Sequence, residues 1–207
     1  MSKSILVITK SLENSGIPNV IFSYAKEFHD FHFFIYTTFG HLNDCLYIEK
    51  TFETLDNCTI LEAPYDSIDY NCRSGKIRFL AQFKKIKHFL KKVIVDNGIS
   101  IVHMHDFTFA GFFSRFFKRQ SIKTIIVQIH LLSYNDKKFF SWLLYRKNVS
   151  LINRYANHVI FVSRELASKI PQFSKDKVVV VSNPIVCMGQ SVLSKRINDG
   201  LLKIGQI

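Results

Sequence analysis

The stretch SIVHMHDFTFAGFFSRFFKRQSIKTIIVQIH, residues 100–130, decides the fold. A β-branched run over residues 100–104 ends in the pair His103 and His105. A mostly apolar segment with a basic end, residues 108–119, follows at helical spacing. A second β-rich run, residues 123–129, then ends in His130. Two short buried strands joined by an amphipathic helix make a β-α-β unit. Its strands are parallel, so the imidazoles collect at one sheet edge, the carboxyl-end edge where open α/β sheets bind ligands.

The same alternation continues on both sides. Residues 4–9, SILVIT, form an apolar run suited to a strand buried on both faces. Helical spacing follows over residues 18–28 through Val20, Ile21, Tyr24, Ala25 and Phe28, with Pro18 in the first turn. Gly16, ahead of that helix, lets the backbone approach a ligand, and a helix start favours anions. The arrangement fits a phosphate cradle or a simple turn. Residues 32–37 and 59–62 read as strands, and residues 40–56 as a poorly periodic helix. Residues 75–97 give the clearest helix, with Ile77, Leu80, Phe83, Ile86, Leu90, Val93 and Ile94 close to one face. Lys84, Lys85, Lys87, Lys91 and Lys92 cover much of the remainder, and Asn97-Gly98 closes it. Beyond the central unit come a helix over residues 136–155, carrying Trp142 and Leu143, and a strand over residues 157–162. Ser163 is a suitable N-cap for residues 164–170, and a last strand covers residues 178–181. The fold class is α/β, a Rossmann-like doubly wound, mostly parallel sheet.

At 207 residues the chain has room for one sizeable core, and 47% hydrophobic against 21% charged residues excludes a disordered chain. A net charge of +12 calls for an anionic partner or surface. The lysine-rich helix has three readings: a solvated face, a dock for anionic membrane, or a nucleic-acid contact with no recognition motif beside it. The four cysteines form no CxxC pair, and the five-residue apolar stretch after Ser4 is too short for a signal peptide. No window reaches the ~18 apolar residues of a membrane span. The expected location is cytoplasmic, with peripheral contact to the inner membrane face through the basic helix.

One rim of the sheet gathers the polar groups: residues 10–16, His103, His105, His130, Ser163 and Asn183. His103 and His105 could hold zinc, touch substrate, or serve structure; no further ligand has metal-site spacing. His130 could act as a general base, hydrogen-bond a hydroxyl or phosphate, or be structural. Its place beyond a strand sets it toward an open cleft. There is no GxSxG elbow, P-loop, GxGxxG or DxD pair.

In order, residues 5–28, 101–107 (IVHMHDF), 124–130 (TIIVQIH), 156–170 (ANHVIFVSRELASKI) and 177–185 (KVVVVSNPI) resemble the N-terminal domain of family 4 glycosyltransferases. These are GT-B enzymes whose two Rossmann-like domains face a cleft. The resemblance implies that Ser15 and Gly16 stand where the family's glycine-rich loop approaches the donor phosphates. It places His130 at the sugar-acceptor centre as the catalytic residue. By the same resemblance His103, His105, Ser163 and Asn183 join the substrate-binding set, with no metal or other cofactor and a nucleotide sugar as donor substrate. Residues 1–185 would form the acceptor-side domain and residues 186–207 a linker or divergent tail. The family's second domain carries an E-x7-E pair, and no two of this chain's six glutamates have that spacing. The expectation is a sugar transferase for glycan or lipid-linked acceptors in surface polysaccharide or glycolipid assembly, incomplete as this chain. A separately encoded C-terminal domain would complete it. The rival is a non-catalytic remnant or a basic module that docks on membrane or a partner; nucleic acid is not expected.

Overall fold

The computed structural model describes residues 3–12, 16–38, 51–62, 73–105, 107–130, 139–170 and 172–182. Within them lie strands β1 (Lys3–Thr9), β2 (Phe31–Thr37), β3 (Cys58–Leu61), β4 (Ile101–Met104), β5 (Thr124–Ile129), β6 (His158–Phe161) and β7 (Val178–Val180). The helices are α1 (Gly16–Glu27), α2 (Arg73–Asp96), α3 (Ala110–Arg119), α4 (Phe139–Tyr155) and α5 (Arg164–Ser168). The helix read over residues 40–56 lies outside the described residues as far as position 50; residues 51–53 form one helical turn.

The seven strands make one sheet in the order β3-β2-β1-β4-β5-β6-β7. Every neighbouring pair is parallel. The sheet therefore grows outward in both directions from the boundary between β1 and β4. In open α/β sheets the carboxyl ends of strands at such a switch point are where ligands bind.

Strand alternation sorts two cores. Tyr36, Ile8, Met104, Val127, Val159 and Val178 are successive register partners across the sheet. This row packs with Ile86, Leu90, Val93 and Ile94 of α2, with Phe113 and Phe117 of α3, and with Val149 and Ile152 of α4. The opposite side packs Val7, Phe33 and Ile35 against Ile21 and Ala25 of α1 and against Phe52. On that second side the row Ile35, Val7, His103, Ile126 and His158 sets an imidazole into β4 beside Val7 and Ile126. A purely structural strand buried on both faces would remain apolar.

Local signals account for the element ends. Gly98 adopts φ +59 after α2, and the Ile99 amide donates to the Ile94 carbonyl at 3.1 Å, closing the helix. The N-cap position of α3, Phe109, makes no side-chain capping bond of its own. Asn148 of α4 supplies it, its Oδ1 accepting from the Gly111 amide at 2.8 Å and its Nδ2 donating to the Phe107 carbonyl at 2.6 Å. That close approach needs a glycine, since a Cβ on Gly111 would lie 2.5 Å from the Asn148 carbonyl oxygen. One apolar expectation fails: Ile77 is exposed, although among the described side chains the α2 stripe packs on the core from Phe83 onward. At the far edge, Val179, Val180 and Val181 are also exposed. Among the described residues no helix is long and apolar enough to cross a membrane.

Candidate functional site at the carboxyl edge of the sheet

His130 follows β5 directly, and its ring is half-buried. Its Nε2 lies 2.9 Å from Nδ1 of His105, the first residue after β4. His105 is 4% exposed, and its amide donates to the Ile8 carbonyl at 2.7 Å, tying it to β1. His103 lies within β4, beside Val7 and Ile126, rather than beyond the strand as the sequence suggested. The three imidazoles form a row, with ring centroids 4.2 Å apart for His103 and His105 and 5.2 Å for His105 and His130. His130 thus ends a strand at the rim, half-buried, with its ring nitrogen set against His105.

Two residues complete the cluster that sequence reasoning did not single out. Tyr24 of α1 stacks on His103 at 6.0 Å and approaches His105 at 6.5 Å. Its helical spacing marked it only as an apolar-face residue. Gln128 is fully buried in β5. The signal for it was there: a polar side chain in an apolar strand, two residues before His130 and so on the same face.

Burial dominates the electrostatics. It pushes His103 down to about 4; a neighbouring Gln128 partly opposes this, and repulsion from a charged His130 adds to the fall. Burial, then His103 and His130, hold His105 well below the usual imidazole range. Burial lowers His130 to about 4 as well. All three rings are neutral near pH 7. Gln128 lies close enough to His103 to favour its charged form, yet neither polar atom of Gln128 meets hydrogen-bond geometry with a partner among the described residues. Nε2 of His103 and Nε2 of His105 are likewise buried and without a partner among the described residues.

The other sequence-derived residues divide. Gly16 opens α1 and is exposed, and a Cβ there would meet nothing within 4 Å, so no contact with the described residues demands glycine. Ser163 caps α5, its Oγ accepting from the Leu166 amide at 3.1 Å. Ser15 and Asn183 lie outside the described residues. Among the described residues no three His, Cys, Asp or Glu side chains are grouped to hold a metal ion. A separate groove of about 1080 Å³ lies along α4 and the loop before β7. Two of its four cations are committed to structure: Lys177 Nζ donates to the Asn153 and Ala156 carbonyls, and Lys169 pairs with Glu165.

The all-parallel sheet with its helices matches a known architecture. Residues 59–187 match the model of Glycosyltransferase Family 4, more than half of the chain. The chain belongs to glycosyltransferase family 4. No curated protein sequence matches it. Among solved structures, Anabaena HepE in complex with UDP and glucose is similar at 16% identity and a TM-score of 0.60, covering 96% of this chain and 50% of that one. A sucrose-phosphate synthase from Thermosynechococcus elongatus is similar at 13% identity and a TM-score of 0.59, with 96% of each chain covered. The lipopolysaccharide outer core galactosyltransferase WaaB, in its apo form, is similar at 15% identity and a TM-score of 0.58, covering 88% of this chain and 46% of that one. The family's N-terminal, Rossmann-like GT-B domain is the fold seen here. The chain spans about half the length of the HepE structure.

Proposed function

We propose that this family 4 domain forms the acceptor-side wall of a two-domain sugar transferase. The donor is a nucleotide sugar, and no metal or other cofactor takes part. The acceptor is a glycan or lipid-linked glycan of a surface polysaccharide or glycolipid. The observation that carries the reading is the position of His130, at the carboxyl edge beside the switch between β1 and β4, backed by a buried polar cluster that core packing does not require. The α1 start at Gly16 stands on the same rim, where backbone amides and the helix dipole favour the donor's phosphates. UDP and glucose bound in the similar HepE structure support the donor class, and the likeness to WaaB supports the acceptor class.

Transfer requires a facing domain, because donor and acceptor must be held together and lost positioning removes ~7–11 kcal/mol of barrier lowering. The expected outcome is no transfer of radiolabelled sugar from UDP-sugars by the 207-residue chain alone, and transfer once an E-x7-E-bearing Rossmann domain, encoded in continuation of it or beside it, is supplied. Robust transfer by the chain alone would overturn the two-domain reading.

A second reading has its own support. Lys84, Lys85, Lys91 and Lys92 are all exposed on α2, together with Ile77 and Val95. Cations beside exposed apolar side chains suit peripheral contact with an anionic membrane surface, where a lipid-linked acceptor resides. This docking accompanies transfer in the first reading and would stand alone in a non-catalytic module.

A further inference from the structure

The histidine pair leaves one question of proton placement that decides what His130 can do to a ligand. Nδ1 of His105 and Nε2 of His130 are 2.9 Å apart, and both rings are neutral, so one nitrogen carries the shared proton and the other offers a lone pair. Either His130 donates from Nε2–H, which moves the His105 proton to its own Nε2, or His105 donates from Nδ1–H and its Nε2 is bare. His105 Nε2 is buried and has no partner among the described residues. In the first arrangement that atom is an orphaned buried N–H, the kind of unmet donor that folded proteins almost never keep. In the second it is an unmet acceptor, the less rare case.

We infer that His105 is a positioning residue that donates from Nδ1 to Nε2 of His130, fixing His130 in the Nδ1–H form so that it meets a ligand as a hydrogen-bond donor and not as a general base. The ligand atom it suits is an oxygen acceptor: a sugar hydroxyl oxygen or a phosphate oxygen. The backbone supports the assignment independently. The His105 amide bond to Ile8 pins its main chain to β1, and Tyr24 and His103 pack against its ring. A donor held this rigidly cannot turn away when the cleft empties. Near pH 7 His130 would then take no proton from an acceptor hydroxyl at Nδ1, already protonated, or at Nε2, which His105 occupies. This inference rests on the transferase reading only for what the donor is for; the proton's position is a property of the chain itself.

The test is a long-range ¹H–¹⁵N correlation spectrum of the ¹⁵N-histidine-labelled chain near pH 7, which separates protonated from bare imidazole nitrogens. His130→Gln identifies the His130 signals. The expected result is a protonated Nδ1 and a bare Nε2 at His130 in the unaltered chain. His105→Ala should release His130 to the other form or to a mixture. His105→Asn, whose amide nitrogen falls near the place of Nδ1, should retain the original form. The backbone amide spectrum shows that each variant is folded. Nε2–H at His130 in the unaltered chain would overturn the inference, as would an unchanged tautomer in folded His105→Ala or loss of the tautomer in folded His105→Asn. No sugar donor is present, so a failure here leaves the transferase reading standing, and a failed transfer assay leaves the tautomer result untouched.

Discussion

His103, His105 and His130 couple the candidate site to the stability of the fold. Each is neutral when folded at a pH where its unfolded counterpart, with an ordinary value near 6.5, begins to charge. Between about 6.5 and about 4 the unfolded chain thus binds more protons, so folded stability falls as pH falls through that window. Well inside it, each such imidazole steepens the loss by ~1.4 kcal/mol per pH unit. Chemical denaturation of the chain at a series of pH values should show this decline. His103→Gln should flatten it, because Gln carries no titrating ring; an unchanged slope would mean that His103 does not stay neutral in the folded chain. Removing His130 has a different effect. The buried His105 would lose its hydrogen-bond partner, so His130→Ala costs more than the ~0.5 kcal/mol of an ordinary surface change.

Among the elements, the contact of α3 with α4 combines apolar packing with one asparagine set against one glycine. Gly111→Ala sets a Cβ against the Asn148 backbone and should lower stability by ~1–3 kcal/mol. Asn148→Ala leaves the buried Gly111 amide and the Phe107 carbonyl without their side-chain partner, and should cost a similar ~1–3 kcal/mol. Thermal or urea unfolding of both variants checks this, and near-zero changes would show that α3 holds its place without the cap. Asn148 also opens an Asn-Val-Ser sequon, but its side chain is spent inside the fold. The α2 surface is a separate matter. Its lysines should bring the chain to anionic vesicles but not neutral ones, each contributing ~1 kcal/mol near the surface and losing it as salt shortens the Debye length. Flotation at low and high salt reads the difference; equal recovery on both vesicle types would remove α2 as a docking face.

Across the whole molecule, what the sequence revealed followed from how each feature is encoded. Strand and helix periodicity lies within short windows, so all seven strands and the order of elements in the chain could be read to within a few residues. The terminal histidine of β5 and the glycine ending α2 were equally local. Tyr24, Gln128 and the contact of His130 with His105 were not, because they depend on which strand lies beside which. Only the order β1-β4-β5 brings α1 over the histidines of β4 and sets His105 against His130. The exposure of Ile77 escaped for the same reason: a helical stripe reports which side faces inward, not which of its residues are covered.

That strand order also governs how the molecule comes into being. β1 finds β2 across one helix, and β4 finds β5 across another, but Ile5 must pair with Ile101 across almost half of the chain. Each doubling of a closing loop adds only about 0.6 kcal/mol, yet distant pairings of this kind dominate the slow steps of folding. During synthesis the first strand waits for the fourth, with one edge unpaired. The bond from the His105 amide to Ile8 and the stacking of Tyr24 on His103 both span that junction. The seam between the two halves of the sheet therefore joins parts of the candidate site that leave the ribosome far apart in time.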